Sequence, residues 1–235
     1  MKYMAKAGYN PKAFVEVMQI LERAQEREPS RLEALLASHP LTAERVATAQ
    51  QRLASGYVEE QKREMHTADF ERAAALIRAE MPAFALADEA RKLVEKQETA
   101  TAAQRLERAV AMVPESPILN ALWSDSLYDL GQYGPSEQIS GRAPNLYYGR
   151  LVNGAANWRL KKDQEALASL ELAEKLVPGT VLVAYFRGRA EEDIGEREAA
   201  AADYVKVAKA TQGNGPYGEY AVSRLREWGY LQQER

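Results

Sequence analysis

The sequence predicts an all-α protein: a superhelix of stacked helical hairpins preceded by a small helical segment. Three observations carry this. Apolar residues recur at helical spacing along nearly the whole chain, no segment alternates with period two for long enough to make a strand, and residue types recur at a fixed interval of 34. The chain has 235 residues, 46% hydrophobic and 28% charged, enough for one large or two modest domains with a real core. A net charge of −3 and the absence of a basic stripe argue against nucleic acid as a partner. With no cysteine there are neither disulfides nor thiolate metal sites. The longest apolar runs, Ala73–Ile77 and Val181–Phe186, are far too short to span a bilayer.

The elements follow in order. Met1 to Ala7 reads as the last turns of a helix stopped by Gly8, and Asn10-Pro11 opens the next. A chain that starts on the end of a helix implies a fragment whose true N-terminus is missing. Phe14, Val15, Met18, Ile20 and Leu21 mark an apolar face on a helix from about residue 11 to 27. Ser30 and Glu33 form a capping box for a short helix through Leu35 and Leu36, which His39-Pro40 ends. Thr42 and Glu44 then start a helix through Val46, Ala49 and Leu53. The charged stretch 59–65 is the expected seam, with His66 an exposed linker residue, which gives domains at 1–66 and 67–235.

Beyond the seam the chain repeats. Gly154 and Gly188, Ala166 and Ala200, and Leu170 and Tyr204 are each separated by 34. That is the length of the tetratricopeptide unit, in which pairs of antiparallel helices stack because one hairpin cannot bury both of its faces. Ala90, Ala102, Leu106, Ala109 and Pro114 stand 64 before Gly154, Ala166, Leu170, Ala173 and Pro178, and Gly131 stands 64 before Gly195. The interval is one unit of 34 and one of 30, so the second copy has lost four residues after Gly131, where two prolines and two glycines predict a short or broken helix. Copies fall at about 83–116, 117–146, 147–180 and 181–214, and Gly215-Pro216 begins a closing helix with Tyr220, Leu225 and Trp228.

In such repeats the first helix of each pair lines an inner groove. The register places Phe84, Arg91, Val94, Ile118, Asp125, Tyr128, Tyr148, Leu151, Trp158, Leu182, Tyr185 and Glu192 there. Tyr128, Tyr148, Trp158 and Tyr185, flanked by Arg150 and Arg159, form the expected partner-binding wall, since aromatic and arginine side chains dominate many interfaces. The alternative is that these rings simply fill the space between helices. No Gly-rich phosphate loop or nucleophile elbow occurs, and Glu191-Glu192-Asp193 lacks calcium-loop spacing.

The opening segment adds a resemblance. Tyr3-Met4-Ala5-Lys6-Ala7-Gly8-Tyr9-Asn10-Pro11-Lys12-Ala13-Phe14, followed by Leu35-Leu36-Ala37-Ser38-His39-Pro40-Leu41-Thr42-Ala43-Glu44-Arg45-Val46, resembles the C-terminal side of the catalytic domain of HtpX/BepA-like zinc metallopeptidases. Periplasmic members then carry a tetratricopeptide domain, the order found here. The resemblance implies a parent enzyme with catalytic zinc, acting in quality control of outer-membrane proteins and placed outside the cytoplasm. It implies a recognition role for this portion, which would hold no cofactor of its own. The departure is plain: His39 and His66 are the chain's only histidines, and there is no HExxH. A catalytic zinc needs three protein ligands, so this chain alone is not expected to cleave peptides. In the family the histidine of the "SHP" element can approach the zinc, which makes His39 a possible regulatory ligand in the parent; alternatively it caps a helix end beside Pro40. The contrasting reading is a stand-alone adaptor whose first sixty or so residues cap the repeats.

Overall fold

The structure is a computed structural model and describes residues 1–24, 43–65 and 67–231. His39, His66 and the predicted Ser30–Leu36 helix lie outside the described residues. Among the described residues every regular element is helical, and the chain divides into two units, Met1–Leu76 and Ile77–Arg235.

The first unit contains α1 (Lys2–Lys6), α2 (Lys12–Ala24), α3 (Ala43–Gly56) and a 3-10 turn (Glu60–Lys62). Gly8, at φ +87, lets the chain leave α1, a left-handed conformation that glycine adopts without a Cβ penalty. Asn10 then has two tasks. Its Oδ1 accepts from the Lys12 amide at 2.9 Å, capping α2, with Pro11 immediately ahead of the first helical residue. Its Nδ2 donates to the carbonyls of Gln61 (2.9 Å) and Arg63 (2.6 Å), pinning the charged stretch onto the helix break. Val15 and Met18 of α2 pack on Val46, Ala49 and Leu53 of α3.

The second unit takes in α4 (Thr67–Glu95) from Ile77 onward, then α5 (Thr99–Met112), α6 (Pro117–Asp129), α7 (Tyr133–Ser140), α8 (Tyr147–Arg159), α9 (Asp163–Leu176), α10 (Val181–Asp193), α11 (Arg197–Thr211) and α12 (Gly215–Glu227). Ala83, Ala87 and Ala90 of α4 pack with Ala102, Leu106 and Ala109 of α5. The first helices α6, α8 and α10 likewise pack on the second helices of their pairs, and these three also touch in succession. The 34-residue matches fall on equivalent faces. A Cβ on Gly154 would meet Leu170 Cγ at 2.5 Å, and one on Gly188 would meet Tyr204 Cε1 at 2.8 Å. Leu170, Tyr204, Ala166 and Ala200 are fully buried. Glycine stands where the two helices of a pair cross most closely.

The same register recurs in polar links between the helices of a pair. Glu89 and Arg105 form an ion pair at 3.3 Å, Ser169 Oγ donates to Asn153 Oδ1 at 2.7 Å, and Arg187 grips Asp203 through two bonds. These pairs occupy equivalent positions in copies one, three and four. The second copy has Trp123 and Ile139 there instead, and both line a recess between α5, α6 and α7.

The second copy also shows where the four residues went. Ser124, Ser136, Ser140 and Ala143 stand 34 after Ala90, Ala102, Leu106 and Ala109, and 30 before Gly154, Ala166, Leu170 and Ala173. The loss therefore falls between Ala143 and Tyr147, at the end of the second helix; α7 has 8 residues where α9 has 14. Without that last turn α8 starts directly against Ala143, whose Cβ and carbonyl oxygen would both lie 2.6 Å from a Cβ on Gly149. Serines fill the crossing of α6 and α7, and Ser136 Oγ seals it by donating to the Ser124 carbonyl at 2.7 Å. A polar seam thus separates an apolar cluster around Leu106 and Leu119 from a larger one around Leu170, Tyr204 and Leu225.

Within each pair the turn has one design. Gln97, Gly131, Lys161 and Gly195 are equivalent, and all have positive φ. The following amide reaches back to the residue five before it, as in Glu98 to Leu93 at 2.9 Å, the pattern of a Schellman cap. Gln97 holds this conformation (φ 63) with a Cβ that disfavours it. Gln97→Gly is expected to raise the unfolding free energy by about 0.5 kcal/mol, the strain relieved less the added freedom of the unfolded chain, read by urea denaturation.

Candidate protein-binding groove

The first helices of the pairs share one side of the second unit, and two adjoining clefts open there. The larger, about 420 Å³, lies between α4 and α6 and is lined by Phe84, Ala87, Arg91, Val94, Ile118 and Leu122, with Asp88 and Asp125 at its polar margin. Val94 and Ile118 are 45% and 48% exposed, so its apolar wall is open to solvent. The smaller, about 100 Å³, is lined by Asp125, Tyr128 and Asp129 of α6, Tyr148, Leu151 and Ala155 of α8, Leu182 and Phe186 of α10, and Tyr217 of α12. Asp125 borders both, which makes them one groove.

Its electrostatics centre on α6. Burial pushes the Asp125 carboxyl up to about 6; a hydrogen bond from Tyr148 Oη, at 2.6 Å to Oδ2, opposes the shift, and Asp129 adds to it. Burial also raises Asp129. Among the described residues neither carboxylate has a cation within ion-pairing distance, whereas Arg91 bonds Glu95 at 2.7 Å one turn along α4. The Tyr148 hydroxyl is held protonated by burial and by Asp125, and burial lifts the Tyr128 hydroxyl to about 12. The phenols here are donors, not acids.

The six residues read from sequence as a binding wall take three different places. Tyr128 and Tyr148 line the smaller cleft, with Tyr128 edge-on to Phe186 at 6.2 Å. Trp158 and Tyr185 are 7% and 9% exposed. Trp158 Nε1 donates to Asp193 Oδ2 at 2.9 Å under the Arg189 guanidinium, and Tyr185 packs among Phe186, Tyr217 and Tyr220 while its hydroxyl accepts from Arg189. These two rings join successive helix pairs. Arg150 Nε donates to the Pro144 carbonyl at 2.7 Å, bracing the shortened loop, and Arg159 lies over the Tyr133 ring. Of the remaining register positions, Leu151 and Leu182 border the smaller cleft, and Glu192 pairs with Arg224 and accepts from Tyr204 and Tyr220.

Leu122, Asp129, Phe186 and Tyr217 line the groove without having been singled out in the sequence. Phe186 is one residue from Tyr185, about 100° around a helix, and the repeat interval does not choose between such neighbours. Among the described residues no three His, Cys, Asp or Glu side chains are placed to hold a metal ion, and no helix is long and apolar enough to cross a membrane.

With this geometry in view, comparison with known proteins gives fold but no relative. No family model matches the chain, and no curated protein matches it. Among solved structures it is similar to TTC0263, a thermophilic TPR protein of Thermus thermophilus, with TM-score 0.55 and 20% identity over 63% of this chain and 83% of that one. It is also similar to MamA (41-end) from Desulfovibrio magneticus RS-1, with TM-score 0.52 and 16% identity over 62% of this chain and 85% of that one. The fold is tetratricopeptide-like and all-helical.

Proposed function

We propose that the second unit is a protein-binding scaffold, which grips a polypeptide segment in the groove formed by the first helices of its pairs. The observation that carries this is the open apolar wall between α4 and α6, where Phe84, Val94, Ile118 and Leu122 line a cleft of about 420 Å³ at the edge of a repeat stack. Apolar surface at a groove, edged by polar groups, marks sites of association. The chain acts in this reading as an adaptor and not as an enzyme.

Selection of a random-peptide phage library on the immobilised full chain tests it. Enrichment on the wild type and its loss on the Val94→Asp/Ile118→Asp variant are expected, because two carboxylates in the apolar wall remove the burial that drives binding. Both positions are about half exposed, so circular dichroism of the variant should match the wild type. No enrichment on the wild type, or equal enrichment on the folded variant, would sink the scaffold reading.

A second reading is favoured by the opening motif alone. Asn10-Pro11 after Gly8, with the later Ser38-His39-Pro40 element, resembles the end of a zinc metallopeptidase domain. In that reading this chain is the recognition module of an extracytoplasmic peptidase whose zinc and HExxH ligands precede it, with His39 a regulatory ligand. The scaffold role of the groove is common to both readings. The reading frame upstream of Met1 discriminates them: an HExxH helix supports the peptidase, and a true start site with nothing ahead of it removes it.

A further inference from the structure

The groove's chemistry narrows the partner, an inference that rests on the scaffold reading above. Asp125 and Asp129 lie one helical turn apart on α6, at the junction of the two clefts. Asp125 is half-buried, the exposed Asp129 adds its repulsion to it, and neither has a cation beside it among the described residues. A carboxylate withdrawn from water, as Asp125 is, normally finds a cation. Three phenol rings, Tyr128, Tyr148 and Tyr217, line the same small cleft, and aromatic faces attract a cation. Tyr148 occupies one oxygen of Asp125, Oδ2, as a donor, while Asp129 is exposed. Next to this acidic, ring-lined cleft lies the apolar wall of the larger one, which shares Asp125.

We infer that the groove takes an extended peptide carrying a lysine or arginine side chain into the cleft bounded by Asp125, Asp129 and the tyrosines, with a neighbouring aliphatic side chain in the cleft between α4 and α6. Charge complementarity selects this occupant: an acidic peptide would meet two uncompensated carboxylates, and a purely apolar one would cover them and leave them unpaired. The small cleft, about 100 Å³, suits one side-chain head and not a folded domain.

The test uses the full chain and three labelled peptides of the sequence Gly-Ser-Leu-Leu-Z-Ala-Leu-Ser-Gly, with Z lysine, norleucine or glutamate, followed by fluorescence anisotropy. The lysine peptide is expected to bind at least about tenfold more tightly than the norleucine peptide, and the glutamate peptide most weakly. Asp125→Asn/Asp129→Asn should erase the lysine advantage while leaving norleucine binding in place, since asparagine still accepts from Tyr148. Equal binding of all three, or a preference for glutamate, overturns the cationic partner; if that binding is lost in Val94→Asp/Ile118→Asp, the groove itself stands. Failure of every peptide to bind, or binding indifferent to Val94→Asp/Ile118→Asp, overturns both the partner and the scaffold reading.

Discussion

Tyr204→Ala is expected to lower the unfolding free energy by about 3–5 kcal/mol, the range for removing a fully buried aromatic ring that its surroundings cannot close over. The ring lies where α10 and α11 cross, against Gly188, and is edge-on to Tyr220 at 5.7 Å and near Trp228 at 5.9 Å. Three helices meet on it. Its hydroxyl donates at 2.7 Å to Glu192 Oε2, which also accepts from Tyr220, while Oε1 of the same carboxylate pairs with Arg224, so the ring fastens the closing helix as well as its own pair. Tyr204→Phe keeps the ring and loses one bond to a charged acceptor that retains two other partners, and should cost about 1 kcal/mol. Urea denaturation followed by circular dichroism reads both. A loss under about 1 kcal/mol for the alanine variant would mean that this crossing does not organise the C-terminal pairs.

Asp203→Ala is the second large effect, expected to cost about 3 kcal/mol. Asp203 is 2% exposed and receives both Arg187, bidentate, and Lys206 at 2.7 Å. Removing it leaves the Arg187 guanidinium, whose pKa that hydrogen bond raises further, charged and without its partner in a half-buried setting. Glu191 gives an independent check. Burial, reinforced by Asp203, raises its carboxyl to about 7. A carboxyl whose folded value lies above its unfolded one stabilises the fold while protonated, and that stability is lost as pH rises through the window from about 4.5 to about 7. With Asp203 gone the shift shrinks, so Asp203→Ala should lose less stability at about pH 8 than at about pH 5. A cost that is the same at both would contradict the coupling.

Much of the second unit was legible because helix pairs that bury one another must repeat small residues at their crossings. The 34-residue interval found Gly154 with Leu170 and Gly188 with Tyr204 as equivalent contacts, and the 64-residue interval carried the register to Ala90 and Leu106. The second copy was harder to read. Ser124, Ser136 and Ser140 are small enough for the crossing but do not look apolar, and their role shows in hydrogen bonds, from Ser136 to the Ser124 carbonyl and from Asn153 Nδ2 to Ser140 Oγ. Gln97 and Lys161 hide the turn that Gly131 and Gly195 announce, since nothing local in a glutamine or lysine signals positive φ.

The groove was legible as a surface and blurred as a list of residues. A repeat interval fixes which helix lines the groove. The face within a turn is decided by how far each pair rotates on the last, and that depends on packing. Tyr128 and Tyr148 thus line the cleft while Trp158 and Tyr185 bridge successive pairs. Asp129 is not marked by the sequence because a carboxylate near a helix end usually reads as solvated surface; its meaning comes from Asp125 beside it, with no cation at ion-pairing distance among the described residues. In the first unit the Asn10-Pro11 motif was visible, but its bonds to Gln61 and Arg63 link residues too far apart in sequence for any local pattern to show.

The central claim, that an outside chain lies along the first helices of the pairs, is tested most directly by methyl NMR of the full chain titrated with the lysine peptide. Shift changes concentrated at Val94, Ile118, Leu122 and Leu182, with the exposed methyls of Leu172, Leu176 and Val177 unmoved, are the predicted result. Changes centred on Leu172, Leu176 and Val177, with the groove methyls silent, would contradict it.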